Sequence, residues 1–145
     1  MWVLLSEVAK GLRMAIEKDL APLSVSSMQV GVMYALHMMK DSGVTPTPSS
    51  ISRWLSRKPH TVSALLERME KQDLVSLHRD SSGKGPVRVE LTEKGKRIYQ
   101  EAGEKSTALA TIFGSLSANQ RKQLRALLGK LDQKSQEHLL RVPFP

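Results

Sequence analysis

Residues 47–92 read TPSSISRWLSRKPHTVSALLERMEKQDLVSLHRDSSGKGPVRVELT, and the fold turns on how this stretch is divided. Thr47 followed by Pro48 carries the signals of a helix start, because a hydroxyl can cap free N–H groups and proline fits the first turn. The helix is expected to run to about Leu55, where the polar Ser56-Arg57-Lys58 interrupts it. Pro59 then opens a second, longer helix to about Gln72. Two short β-branched runs follow, Val75 to Arg79 and Val87 to Leu91, joined by a glycine-rich basic loop.

In the second helix Val62, Leu65, Leu66 and Met69 fall at i, i+3, i+4 and i+7, a single apolar face that must pack inward. The opposite face carries His60, Thr61, Ser63, Ala64, Glu67, Arg68 and Lys71. Its first turn is mostly small and polar, which suits a helix end inserted into a DNA major groove about 12 Å wide. An ordinary amphipathic surface helix has the same periodicity, so the pattern alone does not decide. The order does: helix, tight turn, helix and two-stranded wing is that of a winged helix-turn-helix, a module that reads DNA.

Working outward toward the N-terminus, residues 2–20 form an amphipathic helix that Ala21-Pro22-Leu23-Ser24 breaks, since proline cannot continue it. Ser26 with Gln29 has capping-box spacing and starts the next helix, which runs to about Lys40 and is apolar nearly all round. That marks it as the buried centre. Beyond the wing, Leu91-Thr92 leads into a long helix expected over Glu93 to Phe113. Ser117 and Gln120 repeat the capping-box spacing before a last helix to about Leu140, striped with Leu124, Leu127, Leu128 and Leu131. The tail Val142-Pro143-Phe144-Pro145 is expected to be non-helical and mobile.

At 145 residues a single domain with one real core is expected. Within it, residues 26–92 form the winged helix-turn-helix, while residues 1–22 and 93–141 form a helical region. Lys and Arg number 22 against 14 Asp and Glu, a net charge of +8. The excess is concentrated. Residues 53–88 hold Arg53, Arg57, Lys58, Arg68, Lys71, Arg79, Lys84 and Arg88 against only Glu67, Glu70, Asp73 and Asp80. Clustered cations bind phosphate backbone and release its counterions.

Cysteine is absent, which removes disulfides, thiolate metal sites and thiol nucleophiles together. His37, His60, His78 and His138 are scattered and lack metal-ligand spacing, so no metal and no cofactor is expected. No phosphate-cradling glycine loop or nucleophile elbow appears, and an enzyme is not expected. No run is apolar enough to span a bilayer and no signal-peptide layout is present, so a cytoplasmic protein is expected.

The terminal helices carry apolar stripes that a small reading module cannot cover, and a second copy would bury them; a symmetric homodimer is expected. The fold class is therefore mainly α with a small β wing (α+β), a winged helix-turn-helix with N- and C-terminal dimerisation helices.

Several segments resemble the MarR (multiple antibiotic resistance regulator) transcription factors. These are Ser26-x-x-Gln29, Ile51 to Leu55, Thr61-Val62-Ser63-x-x-Leu66-Glu67-x-Met69-Glu70, Leu74-Val75, and the junction Leu91-Thr92-x-x-Gly95. The resemblance implies a homodimer on inverted-repeat, double-stranded DNA, with half-site centres about one helical turn, roughly 34–36 Å, apart. His60, Thr61, Ser63 and Ala64 would lie near the bases, with Arg68 deeper on that face. Arg53, Arg57 and Lys58, and Arg79, Lys84 and Arg88 from the wing, would grip phosphates.

The family's wing tip usually carries Asp-x-Arg. Here the loop is shorter and Lys84, between two glycines, takes the tip without arginine's planar fork. Members of the family are often released by small aromatic or phenolic ligands in a cleft between dimer helices and reading head. Its lining here would be Trp2, Leu12, Ile16, Met33, His37 and Trp54. A repressor released in this way is the expected function. A dimeric winged-helix module that binds protein rather than DNA is the alternative.

Overall fold

The computed structural model describes residues 1–79, 83 and 85–141, with side chains throughout except at 136 and 139–141. The expectations for the Lys84 tip and for the tail at 142–145 fall outside the described residues.

Seven α-helices and one antiparallel pair of strands are described: α1 (Trp2–Leu20), α2 (Ser27–Asp41), α3 (Pro48–Trp54), α4 (Pro59–Lys71), β1 (Val75–His78), β2 (Arg88–Leu91), α5 (Glu93–Lys105), α6 (Thr107–Gly114) and α7 (Ala118–Arg141). A short 3-10 turn, Ala21–Leu23, separates α1 from α2. The strands pair Val75 with Leu91 and Leu77 with Val89, each a residue shorter at its loop end than the β-branched runs.

Helix starts follow the capping chemistry. The Ser26 hydroxyl accepts from the Gln29 N–H at 3.2 Å and the Gln29 side chain accepts from the Ser26 N–H at 2.9 Å. Thr47 does the same with Ser50 ahead of α3. Helix ends share one device. After α2, α3 and α4 the chain turns left-handed at Gly43, Ser56 and Asp73. In each case the next residue's N–H donates back over the last turn, from Val44 to the Met39 carbonyl, Arg57 to Ser52, and Leu74 to Met69. These are Schellman endings, which satisfy carbonyls that a helix terminus would leave open.

The chain falls into two compact units, Met1–Thr107 and Ala108–Pro145. In the first, α2 supplies Val32, Met33, Ala35, Leu36 and Met39 to a core completed by Ile51, by the apolar face of α4, and by Val75 and Val89 from the wing. The buried set of α4 is Val62, Leu65, Leu66 and Met69, as the heptad-like spacing requires. Contrary to the all-round apolar pattern, α2 is not wholly enclosed. Tyr34 and Met38 remain exposed, because α1, α3 and α5 cover only part of its circumference in one chain. Burial, with Tyr34 and Asp41 nearby, pushes the Tyr99 phenol above its ordinary range.

The single helix expected over 93–113 is broken. Ser106 leaves helical geometry (φ −75°, ψ 74°), ending α5 at Lys105, and α6 begins at Thr107. Adjacent Ser and Thr favour such local alternatives to the helical ladder. In the second unit the Ser117–Gln120 capping box forms, and Arg121 donates to the carbonyls of Phe113 and Leu116 across the turn between α6 and α7. Leu127, Leu128 and Leu131 stay exposed on α7.

Candidate nucleic-acid interface

The reading helix α4 is presented by the turn that follows α3. Three residues with little freedom define that turn: Leu55, the left-handed Ser56 and Arg57. Ser52, almost fully buried, donates its hydroxyl to the Arg57 carbonyl at 2.6 Å and so ties the end of the turn back to α3. Pro59 then starts α4 with a φ already suited to a helix.

With its apolar face buried, α4 leaves His60, Thr61, Ala64 and Arg68 exposed on the other side, while Ser63 is half-buried at the edge of that face. Arg53, Arg57 and Lys58 are exposed before and within the turn. The first turn of α4 carries no acidic side chain, so its positive helix end is not neutralised locally.

The wing is anchored on α4 as well as paired to itself. Glu70 accepts from the Leu77 N–H at 3.1 Å through a carboxylate oxygen. Arg79 and Arg88 are exposed at the wing's described ends. On the same strands His78 lies 2.9 Å from the Ser76 hydroxyl and 3.8 Å from the Glu90 carboxylate. At its root, the wing joins α5 through Thr92. The Thr92 hydroxyl donates to the Asp73 carbonyl and accepts from the Gly95 N–H, and Lys94 donates to the Gln72 carbonyl at 2.7 Å.

The six residues expected around a ligand are dispersed. Trp2 is 76% exposed on α1, whereas Met33 is wholly buried in the core. Leu12 and Ile16 are half-buried, and Ile16 packs on the core. Trp54 meets Tyr34 edge-on at 5.4 Å. His37 lies 5.6 Å from the Tyr99 ring and is the one member of the six that lines a cavity of about 490 Å³ beside β2.

Sequence patterning does not point to Ser52 or to the Gln29–Gln72 amide pair (2.6 Å) that joins the start of α2 to the end of α4. Both act through partners distant in the chain or off the helical period, so only a local serine in a buried register hints at them. Ser52→Ala is expected to lower the unfolding free energy by about 1 kcal/mol, the scale of one lost hydrogen bond. Urea denaturation reads this directly, and an unchanged midpoint would show that the hydroxyl does not hold the turn.

Residues 25–95 match the family described as the winged helix DNA-binding domain. The HTH-type transcriptional regulator MgrA of Staphylococcus aureus is 39% identical over 71 residues, 49% of this chain and 48% of that protein, so the match spans about half of that relative. Among solved structures, the organohalide-sensing transcriptional regulator RdhR-CbdbA1625 in its 2,4-dichlorophenol-bound form superposes with a TM-score of 0.79 at 28% identity, covering 92% of this chain and 78% of that one. A mutant MarR from E. coli complexed with operator DNA shares the fold with a TM-score of 0.77 at 21% identity, over 88% of this chain and 90% of that one.

A locked turn, an exposed polar helix face and a paired wing thus coincide with the segment that matches the winged helix DNA-binding domain, and the chain folds as a winged helix-turn-helix. Its relatives by sequence are HTH-type transcriptional regulators, and solved MarR structures share its fold.

Proposed function

We propose that the chain acts as a homodimeric repressor on inverted-repeat duplex DNA and is released by a small aromatic or phenolic ligand. The observation that carries the DNA-binding half is the exposed face of α4, His60, Thr61, Ala64 and Arg68, opposite a fully buried apolar face. In this reading these residues and Ser63 reach base edges, while Arg53, Arg57, Lys58, Arg79, Lys84 and Arg88 take phosphates. Dimerisation is supported by apolar side chains left exposed at both ends of the chain, Trp2, Leu4 and Val8 on α1 and Leu127 and Leu131 on α7. A ligand is supported by the dichlorophenol in the RdhR relative. Of the dispersed residues named above, Trp2, His37 and Trp54 expose their rings and are the proposed contacts.

Selection of bound duplexes from a random pool, with sedimentation of the protein alone and with the selected duplex, tests the proposal. Enrichment of a two-fold symmetric site bound by two chains is expected. Sedimentation as two chains with no duplex enriched at low salt would favour the protein-interaction module instead. With a selected site in hand, Lys84→Gln should weaken all duplexes alike and reduce the salt slope by about 1 per chain, whereas Ser63→Ala should change base preference. Unchanged binding by both variants removes these assignments.

A further inference from the structure

The start of α2 and the end of α4 lie 43 residues apart in the chain and meet through one pair of amides. Gln29, only 7% exposed, uses both ends of its side chain. Its Oε1 accepts from the Ser26 N–H at 2.9 Å in the capping box, and its Nε2 donates to Oε1 of Gln72 at 2.6 Å. The first contact fixes which end of the amide faces Gln72, so the second has a set direction. Gln72 is held on two further sides. Its N–H donates to the Arg68 carbonyl, and its own carbonyl accepts from Nζ of Lys94 on α5 at 2.7 Å. The start of α2 is itself secured, because the Ser27 N–H donates to the Glu17 carboxylate of α1 at 2.9 Å.

We propose that the Gln29–Gln72 pair positions the reading helix: it fixes the angle at which α4 leaves its turn and so places Ala64 and Arg68 against the bases. The inference rests on the DNA-binding reading above. Packing of Val62, Leu65, Leu66 and Met69 holds α4 onto the core. Apolar burial is non-directional, however, and resists a small tilt less sharply than a hydrogen bond, which weakens steeply with angle. The N-terminal end of α4 is tied by the bond from Ser52 to Arg57, which makes it the pivot, and Gln72 marks the far end. From Pro59 to Arg68 the helix rises about 14 Å, at about 1.5 Å per residue, so a tilt of about 6° carries Arg68 about 1.5 Å sideways. That exceeds the distance range of a good hydrogen bond, roughly 0.5 Å wide, and base contacts are lost. Arg53, Arg57 and Lys58 precede the tilting segment, and their phosphate contacts survive.

Fluorescence anisotropy of the full chain on a selected duplex and on a scrambled duplex of the same length, at one salt concentration, tests this. Gln72→Met keeps the length of the side chain and leaves the capping box intact but removes the acceptor. It should weaken the selected duplex about tenfold, the worth of about one base contact, and the scrambled duplex by less than about twofold. Gln72→Glu restores an acceptor for Nε2 of Gln29. It should return the ratio of the two affinities to within about twofold of the parent, since its added charge weakens both duplexes alike. Ser26→Ala is the stability control. It removes the cap hydroxyl, leaves the bond to Gln72 in place and should lower the melting temperature by a few degrees without changing the ratio. Thermal melting confirms that each variant is folded at the temperature of the assay.

An unchanged ratio in Gln72→Met, no recovery in Gln72→Glu, or an equal loss in Ser26→Ala overturns the positioning role and leaves the DNA-binding proposal standing. If the parent chain enriches no duplex at low salt, the DNA-binding proposal itself falls, and the positioning role falls with it.

Discussion

Gly95→Ala is expected to destabilise the chain by about 3 kcal/mol or more, above the usual range for an overpacked position, because the obstacle is backbone. A Cβ built on Gly95 would lie 2.0 Å from the Leu74 carbonyl oxygen, 3.0 Å from its carbon and 3.3 Å from a Leu91 methyl. Neither carbonyl atom can swing aside as a flexible side chain would. Leu74 is held by its Schellman bond to Met69, and its own carbonyl accepts from the Thr92 N–H. The first turn of α5 is thus pressed onto the turn between α4 and β1, and the wing root is fixed to the reading helix by the same contact. Gly103→Ala is the matched control in the same helix. A Cβ there meets nothing within 4 Å, and alanine should stabilise the helix by up to about 1 kcal/mol. Urea denaturation of the pair reads the difference, and equal midpoints would mean that α5 does not dock on Leu74.

The second large effect is electrostatic. Raising salt from about 50 mM to about 200 mM should weaken binding to a selected duplex about a thousandfold or more, the loss expected when a protein neutralises six or more phosphates. The exposed Arg53, Arg57, Lys58, Arg79 and Arg88 of two chains are sufficient in number for this. Arg57→Gln should lower the slope of log affinity against log salt by about 1 per substituted contact per chain. Anisotropy titrations at several salt concentrations measure both. A flat salt response would leave the cationic cluster without a phosphate partner.

Much of this was legible from residue order. The capping boxes at Ser26 and Ser117, the Thr47-Pro48 start and the inward face of α4 are short-range features, each decided within about one or two helical turns. The break at Ser106 was not legible, because helical periodicity continues across it and the departure lies in the backbone of Ser106 (ψ 74°). The six-residue ligand set shows a different limit. Met33 and Trp54 have the same apolar character in sequence, yet one is enclosed in the core and the other stands exposed beside Tyr34.

By itself the sequence determined where most helices and both strands lie, the inward face of α4 and where positive charge collects, since these follow from neighbours a few residues apart. Tertiary structure alone decided that Ser52 closes the turn on Arg57, that Gly95 must lack a side chain against Leu74, and that Lys40, Arg88 and Lys96 border one cavity. The turn geometry sets the first of these, the docking of α5 on the turn before β1 sets the second, and only packing of α2, β2 and α5 brings the three cations together.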